Sequence, residues 1–343
     1  MKVLIIGNLG YVGSELMKYF SKKNITADGL DTGLFIPNLT CNIAPEIYLN
    51  KQIFLDVRNV NESNLIGYDA VIYLAAISND PMGQKFKDQT MEINFKSAVE
   101  IAKKAKKIGL KNFIFASSCS VYGDSDNEIK TEKSSLNPLT TYAVSKVKAE
   151  ESLEKLVNKS FKVTCLRFAT ACGTSDRLRL DLVVNDFVAN SLINHSIKLL
   201  SKGNSFRPFI SVRDMCRSIE WALKRKISEG GNFCTLNVGN KNLSMRIIDL
   251  ARKVSDITQA KISISSEAQP DKRSYKVSYD KYYHLAKNYH PKDSLSLIVK
   301  DLVKNFNTNK FLTKDFRNSN YIRLQYLNQL ITEKKLTKQL FWK

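Results

Sequence analysis

Long apolar runs are missing from this chain of 343 residues. None approaches the ~18 consecutive residues that a bilayer-crossing helix needs, so a membrane partner is not expected. Histidine is scarce: His195, His284 and His290 stand apart, with no H-E-x-x-H or paired arrangement, and no metal site is expected. Cys41, Cys119, Cys165, Cys172, Cys216 and Cys234 show no C-x-x-C spacing, and several lie in apolar runs. They read as reduced, mostly buried thiols. Internal repeats, low-complexity linkers and helix-turn-helix or RNA-binding patterns are also absent. Negative charge is short, with 33 Asp and Glu against 53 Lys and Arg, a net charge of +20. The excess is spread out, and its densest cluster (Lys103, Lys104, Lys106, Lys107, Lys111) suits the solvated face of one helix. No nucleic-acid partner is expected; a basic surface would draw in an anionic diphosphate, and lysine-rich codon bias explains the charge equally well. Met1–Ile6 leads straight into a glycine turn, without a charged-then-apolar leader, and a cytoplasmic protein is expected.

What is present is a core-forming alternation. Hydrophobic content of 43% and charged content of 25% are those of a globular protein. Strand-like runs at 2–6, 25–31, 52–55, 70–76, 111–118 and 161–168 alternate with helix-like runs at 13–22, 88–108 and 140–158. That order predicts a parallel sheet with helices on both faces. Past residue 169 the pattern breaks into loops and short helices, as in a smaller second lobe. Residues 311–343 read as an amphipathic helix closing the chain.

Two motifs carry chemistry. The first is Gly7, Gly10 and Gly13 between strand 2–6 and the next helix. Gly7 allows the tight turn, Gly10 lets backbone approach a phosphate, and Gly13 lets the helix pack on the sheet. The helix N-terminus then offers free amides to a pyrophosphate. Asp31, eighteen residues past Gly13, closes the next strand, where a carboxylate accepts from a ribose 2′-OH and repels a 2′-phosphate. Asp28 is its competitor. The second motif is Tyr142 and Lys146, four residues apart and so on one helix face. An ammonium beside a phenol favours the phenolate and lowers its pKa from about 10, making an acid/base usable near neutrality.

With both motifs in place, the chain resembles the extended short-chain dehydrogenase/reductases, specifically the nucleotide-sugar epimerase/dehydratase family (UDP-galactose 4-epimerase-like), over roughly residues 1–305. The resemblance implies an α/β fold: a doubly wound parallel-sheet Rossmann domain (1–168 plus about 210–240) with a smaller, mostly α C-terminal substrate lobe (169–209 and 241–310), followed by a C-terminal helical extension (311–343). It implies NAD as cofactor, a nucleotide-diphosphate sugar as substrate, and a homodimer built through helices near 88–108 and 140–158. Tyr142 and Lys146 match the catalytic pair. Ser118, in ASSCSVYG, matches the third catalytic residue, with Ser117 and Ser120 as rivals. The cofactor shell would comprise Gly7, Gly10, Tyr11, Val12, Gly13, Asp31, Asp56, Val57, Leu74, Ala75, Ala76, Asn94, Ser117, Tyr142 and Lys146. The substrate would meet Ser118, Thr170, Asn185, Arg207 and Arg273, with Asp214 structural.

Sequence departures narrow the reaction. The 4,6-dehydratases carry Asp-Glu after the catalytic hydroxyl residue; here Cys119 and Ser120 stand there, which disfavours dehydration. Thr170 replaces an Asn that the family commonly holds at the end of R-x-x-N, which departs from the standard UDP-galactose mode. The segment CGTSDRLRLDLVVNDF resembles a subgroup associated with bacterial surface-polysaccharide sugars. The expected activity is nucleotide-sugar epimerisation, at C4, through a keto-sugar. The alternatives are a 4-dehydrogenase or 4-keto reductase, then a 4,6-dehydratase, then a non-catalytic dinucleotide-binding protein.

Overall fold

The structure is a computed structural model that describes residues 1–124, 128–265 and 274–343. In chain order the first part holds β1 (Lys2–Ile6), α1 (Tyr11–Ser21), β2 (Thr26–Asp31), β3 (Lys51–Phe54), β4 (Ala70–Tyr73), α2 (Asp80–Lys85), α3 (Lys87–Thr90), α4 (Ala98–Lys107), β5 (Asn112–Ser118), β6 (Ile129–Lys130), α5 (Thr141–Glu154) and β7 (Lys162–Phe168). The second part holds β8 (Thr170–Cys172), α6 (Val183–Asn194), β9 (Ser196–Leu199), β10 (Phe206–Ser211), α7 (Val212–Lys224), β11 (Phe233–Val238), β12 (Ser244–Arg246), α8 (Ile247–Thr258), β13 (Lys261–Ile264), β14 (Lys276–Val277), α9 (Asp280–Leu285), α10 (Leu295–Asn309) and α11 (Arg323–Thr332).

Seven strands form the main sheet in the order β11-β7-β5-β4-β1-β2-β3. Every pairing in it is parallel. The chain winds from β1 through β2 to β3, then returns to β4 on the other side of β1 and continues outward. This reversal opens a crevice beyond the carboxyl ends of β1 and β4, the position where such sheets bind ligands. Helices cover both faces, so the inner strands are buried on both sides: all of Val3–Ile6, Ala70–Tyr73 and Phe113–Phe115 are in the core. A second core gathers α6, α8 and α10 around small sheets, β12-β10-β8 and β13-β9.

Several elements differ from their sequence reading. β4 stops at Tyr73 instead of 76, because the amides of Leu74 and Ala75 both donate to the Ile6 carbonyl, at 2.8 and 3.0 Å, and the chain peels away over β1. The helix expected near 88–108 contains a π-helical stretch, Met91–Ser97, ahead of α4. The helix expected over 140–158 ends at Glu154. The C-terminal extension holds one α-helix, α11, and a short 3₁₀ helix, Phe316–Asn318, and otherwise runs irregularly. Its Leu327, Leu330, Leu336 and Leu340 pack with Ile77, Met82 and Phe86, so the extension docks beside α2. Among the described residues, no helix is long and apolar enough to cross a membrane.

Candidate active site

The crevice is one cavity of about 1060 Å³. Its floor is the glycine loop. Gly7 has φ +90°, and a Cβ there would stand 2.5 Å from the Ala75 amide nitrogen, so only glycine lets β1 turn against the end of β4. A Cβ on Gly13 would stand 2.4 Å from the Asn8 carbonyl oxygen, which forces α1 to keep that glycine in order to seat on the loop. No side chain caps α1, and its first turn carries no acidic residue. Its N-terminal amides face the crevice end of the sheet and suit an anion.

The end of β2 separates two carboxylates. Asp28 is fully buried and consumed by Lys2 (3.0 Å), Tyr68 (2.7 Å) and Asn50 (3.0 Å). Asp31 lines the cavity and accepts from the amides of Leu9 (3.1 Å) and Gly33 (2.9 Å). It is therefore tied to the glycine loop. Burial pushes its carboxyl pKa upward against those hydrogen bonds.

Tyr142, Lys146 and Ser118 meet on the opposite wall. Thr140 caps α5 by accepting from the Ala143 amide (3.2 Å) and donates to Asp80 Oδ1 (2.7 Å). This sets the first turn of α5, where Tyr142 sits, against α2. Lys146 lies one turn on, with Nζ 5.7 Å from the Tyr142 ring centroid. Ser118 ends β5, and its hydroxyl hydrogen-bonds in favour of the Tyr142 phenolate.

The electrostatics correct the expectation of a phenol acidified by its lysine. Burial above all, with the Asp80 carboxylate adding to it, pushes Tyr142 up to about 12; Ser118 and Arg179 pull the other way. Lys146 is 2% exposed, and its Nζ donates to the Ala116 carbonyl at 2.7 Å and lies over the Phe115 ring. Desolvation brings it down to about 7, against Glu150. The reason is physical: the same low-dielectric wall that brings the pair together raises a phenol and lowers an amine.

Behind the wall, Glu150 forms a buried ion pair with Arg167, Nη2 to Oε2 at 2.6 Å. Arg167 also donates to Tyr122 (2.9 Å), which donates to Asn237 (2.7 Å). Ser117 lines the cavity, yet its hydroxyl donates to Glu150, so it braces this network and is a poor ligand for the cofactor. Cys119 is fully buried, with its thiol on the Arg167 carbonyl, and Ser120 lines the cavity.

Of the other expected residues, Gly10, Tyr11, Val12, Asp56, Val57, Leu74, Ala75, Ala76, Thr170 and Arg207 line the cavity. The Asp56 carboxylate is gripped by Arg58 at 2.8 and 2.6 Å. Two amides do not reach the cavity. Asn94 is fully buried, bonded to the Ile77 amide (2.8 Å), the Ile77 carbonyl (3.0 Å) and Ser145 (3.1 Å). Asn185 is fully buried too, holding both backbone groups of Gly173 and the Arg179 carbonyl. Each shapes a wall from behind, where a ligand contact was expected. Asp214 accepts from the amides of Lys292 and Asp293, a structural role. Arg273 lies outside the described residues.

Sequence reasoning missed a polar cluster on the cavity rim. Arg179 forks onto Asp181 at 2.9 and 3.0 Å and donates to Ser78 at 2.9 Å; Asn79 donates to Asp181 at 2.7 Å. It also missed Arg317, Ile322, Arg323, Leu324, Leu327 and Leu340, by which the C-terminal extension lines the same cavity. The singled-out segment CGTSDRLRLDLVVNDF contains Arg179 and Asp181; no local pattern marked Arg323.

With this geometry in place, the comparison with known proteins decides the family. The model of the NAD dependent epimerase/dehydratase family matches residues 3–239. This chain belongs to that family. It is 28% identical over 278 residues to a dTDP-D-glucose 4,6-dehydratase of Dictyostelium discoideum, a match covering 75% of this chain and 62%, less than two thirds, of that protein. It is 26% identical over 273 residues to an uncharacterised UDP-glucose epimerase of Bacillus subtilis, covering 74% of this chain and 82% of that one. Among solved structures, UDP-glucuronic acid 4-epimerase from Bacillus cereus in complex with UDP-glucuronic acid and NAD superposes with a TM-score of 0.76 at 25% identity, covering 90% of this chain and 99% of that one. The family is NAD-dependent, and this chain is an enzyme of that family.

Proposed function

We infer that the protein is an NAD-dependent nucleotide-sugar epimerase acting at C4 through a transient keto-sugar. The observation that carries this reading is the meeting of Ser118, Tyr142 and Lys146 on the wall of the glycine-loop cavity, with the neutral side chains of Cys119 and Ser120 following Ser118. The residues fit the cofactor: Gly7 must be glycine, the α1 N-terminus is uncapped, and Asp31 lines the cavity at the end of β2, tied to the glycine loop, where it would meet the ribose. When bound, NAD supplies hydride uptake at the sugar carbon and its return.

The chain's own residues then have separate tasks. Tyr142 takes and returns the proton of the substrate hydroxyl, which Ser118 positions by hydrogen bonding. Lys146 holds the nicotinamide ribose hydroxyls and supplies positive charge to the phenolate. With its pKa at about 12, Tyr142 would need that charge, together with that of the oxidised nicotinamide, to stand as the phenolate that accepts a proton near neutrality. Asp31 selects NAD over NADP through the 2′-hydroxyl. Arg207 and Thr170 meet the sugar nucleotide across the cavity, and Arg207 suits a diphosphate. Turning the keto-sugar over requires room, which a cavity of about 1060 Å³ supplies. The subunit pairs through the helical segments near 88–108 and 140–158 as a homodimer in the cytoplasm, and the product serves surface-polysaccharide synthesis, in keeping with the segment around Arg179.

The test is incubation of the purified protein with UDP-, GDP-, dTDP- and CDP-sugars, following NADH absorbance and product stereochemistry together. An epimer formed without net NADH supports the reading. Stoichiometric NADH makes the protein a 4-dehydrogenase, and a 4-keto-6-deoxy product makes it a dehydratase.

A further inference from the structure

The C-terminal extension is stapled to the cofactor side of the cavity at three places. Trp342 donates to the Thr32 carbonyl at 2.7 Å, just past β2. Arg58 donates to the Gln339 carbonyl at 2.7 Å while holding Asp56. Leu327 and Leu340 pack with Ile77 and Met82. These contacts bring Arg323, the first residue of α11, into the cavity wall.

Arg323 is a large side chain only 2% exposed. Its guanidinium carbon lies 3.9 Å from the centroid of the Phe35 ring. Among the described residues its one hydrogen bond is long, Nη2 to the Arg177 carbonyl at 3.4 Å, and Nη1 has no partner. The neighbouring cations are already matched: Arg177 pairs with Glu46, Arg179 with Asp181, and Arg317 with Asp186. Two carboxylates act on it from a distance, Asp181 more than Asp31: Asp181 is held by Arg179 and Asn79, and Asp31 accepts from the amides of Leu9 and Gly33. Among the described residues, Arg323 has no carboxylate at ion-pair distance. Burial and the adjacent arginines depress its pKa to about 9. A buried guanidinium with a free fork is strongly unfavourable unless an anion meets it.

Its position says which anion. Arg323 stacks on the residue four past Asp31, and Asp31 is bonded to Leu9 of the glycine loop. It therefore sits over the first βαβ unit, on the cofactor side. The loop between Gly7 and Gly13 contributes backbone amides and no cationic side chain. A pyrophosphate there would carry two negative charges and meet amide dipoles from the loop, while Arg179, which acts on Tyr11 of the loop, is already paired with Asp181.

We propose that Arg323 is a ligand of the cofactor's pyrophosphate and that the C-terminal extension is a clasp that retains the dinucleotide. This inference rests on the NAD reading of the cavity and not on which sugar reaction follows. It makes Phe35 the platform that holds the guanidinium fork in plane, and it makes cofactor release depend on lifting the extension from α2.

The experiment compares wild type, Arg323→Gln and Arg323→Lys after removal of bound nucleotide. Calorimetry measures binding of NAD, ADP-ribose, adenosine and UDP, and melting without ligand checks the fold. The expected result is a loss of tenfold or more in affinity for NAD and ADP-ribose in Arg323→Gln, part recovery in Arg323→Lys, and unchanged adenosine and UDP binding. Unchanged NAD affinity in a folded Arg323→Gln overturns the proposal, and so does a loss confined to UDP. Failure of the wild type itself to bind NAD would count against the cofactor reading instead. Should Arg323→Gln fail to fold, hydrogen exchange on wild type decides: NAD and ADP-ribose must slow exchange in α11 while adenosine does not, and equal exchange with all three overturns the clasp.

Discussion

Lys146→Met should make the nucleotide-free protein more stable and inactive, and the gain should fade as pH rises. The lysine's pKa falls from the ordinary 10.5 to about 7 in the fold, because its ammonium is stripped of water on a wall of Phe115 and Tyr142. At about 1.4 kcal/mol per pKa unit, keeping it charged costs roughly 5 kcal/mol at and below the folded pKa. The hydrogen bond to the Ala116 carbonyl offsets about 1–2 kcal/mol, which methionine gives up. A net gain of about 3 kcal/mol at pH 7 remains. With an unfolding entropy of roughly 2 cal/mol/K per residue, a chain of this length should melt about 4 °C higher. The sign follows from proton linkage. Between pH 7 and 10.5 the unfolded chain binds the proton that the folded lysine has lost, so wild-type stability rises through that window. About 2 kcal/mol of the deficit disappears by pH 9, and the two proteins should then melt close together. Thermal unfolding at pH 6.5, 7.5, 8.5 and 9.5 on both proteins reads this directly. A variant that melts no higher at pH 6.5, or a difference that stays constant with pH, would refute the claim that the lysine is held charged against its surroundings.

Three further outcomes are expected. Tyr142→Phe should lower turnover by about 10²-fold or more, with an unchanged melting curve, since only the proton-carrying hydroxyl is removed; wild-type-like kcat would remove Tyr142 from the mechanism. Glu150→Ala should cost about 3–5 kcal/mol, because it strands Arg167 in the core behind the site, and denaturant unfolding would show a loss of that size or contradict the pairing. Asp31→Asn should weaken NAD about tenfold and narrow the preference over NADP, measured by titration of both; an unchanged ratio would take the residue away from the ribose.

The parts that were legible in the sequence are those whose signal is local. Gly13 is demanded by Asn8 within the same βαβ unit, Gly7 marks the turn that leaves its own strand, and Tyr142 and Lys146 share a face because helical geometry makes them do so. The choice between Asp28 and Asp31 was not local: it turns on Lys2, Asn50 and Tyr68, which come from elsewhere in the chain to occupy Asp28. Asn94 and Asn185 illustrate a different limit. A buried amide that satisfies backbone groups and one that grips a ligand look identical in sequence, and only burial tells them apart. The acidity of Tyr142 was misjudged because spacing reports the neighbouring charge and not the loss of water around both groups. Arg323 was out of reach altogether, since its place in the cavity depends on docking a segment some three hundred residues from the glycine loop.

In the proposed reaction a sugar hydroxyl loses its proton to Tyr142 while the same carbon yields and regains hydride within one cavity. Nucleotide sugars carrying deuterium at C4, turned over by the NAD-loaded protein in ordinary water, test it most directly by NMR of the product. The expected product is a C4 epimer that keeps its deuterium; an epimer with hydrogen at C4, or a product inverted at another carbon, would rule out this sequence of steps.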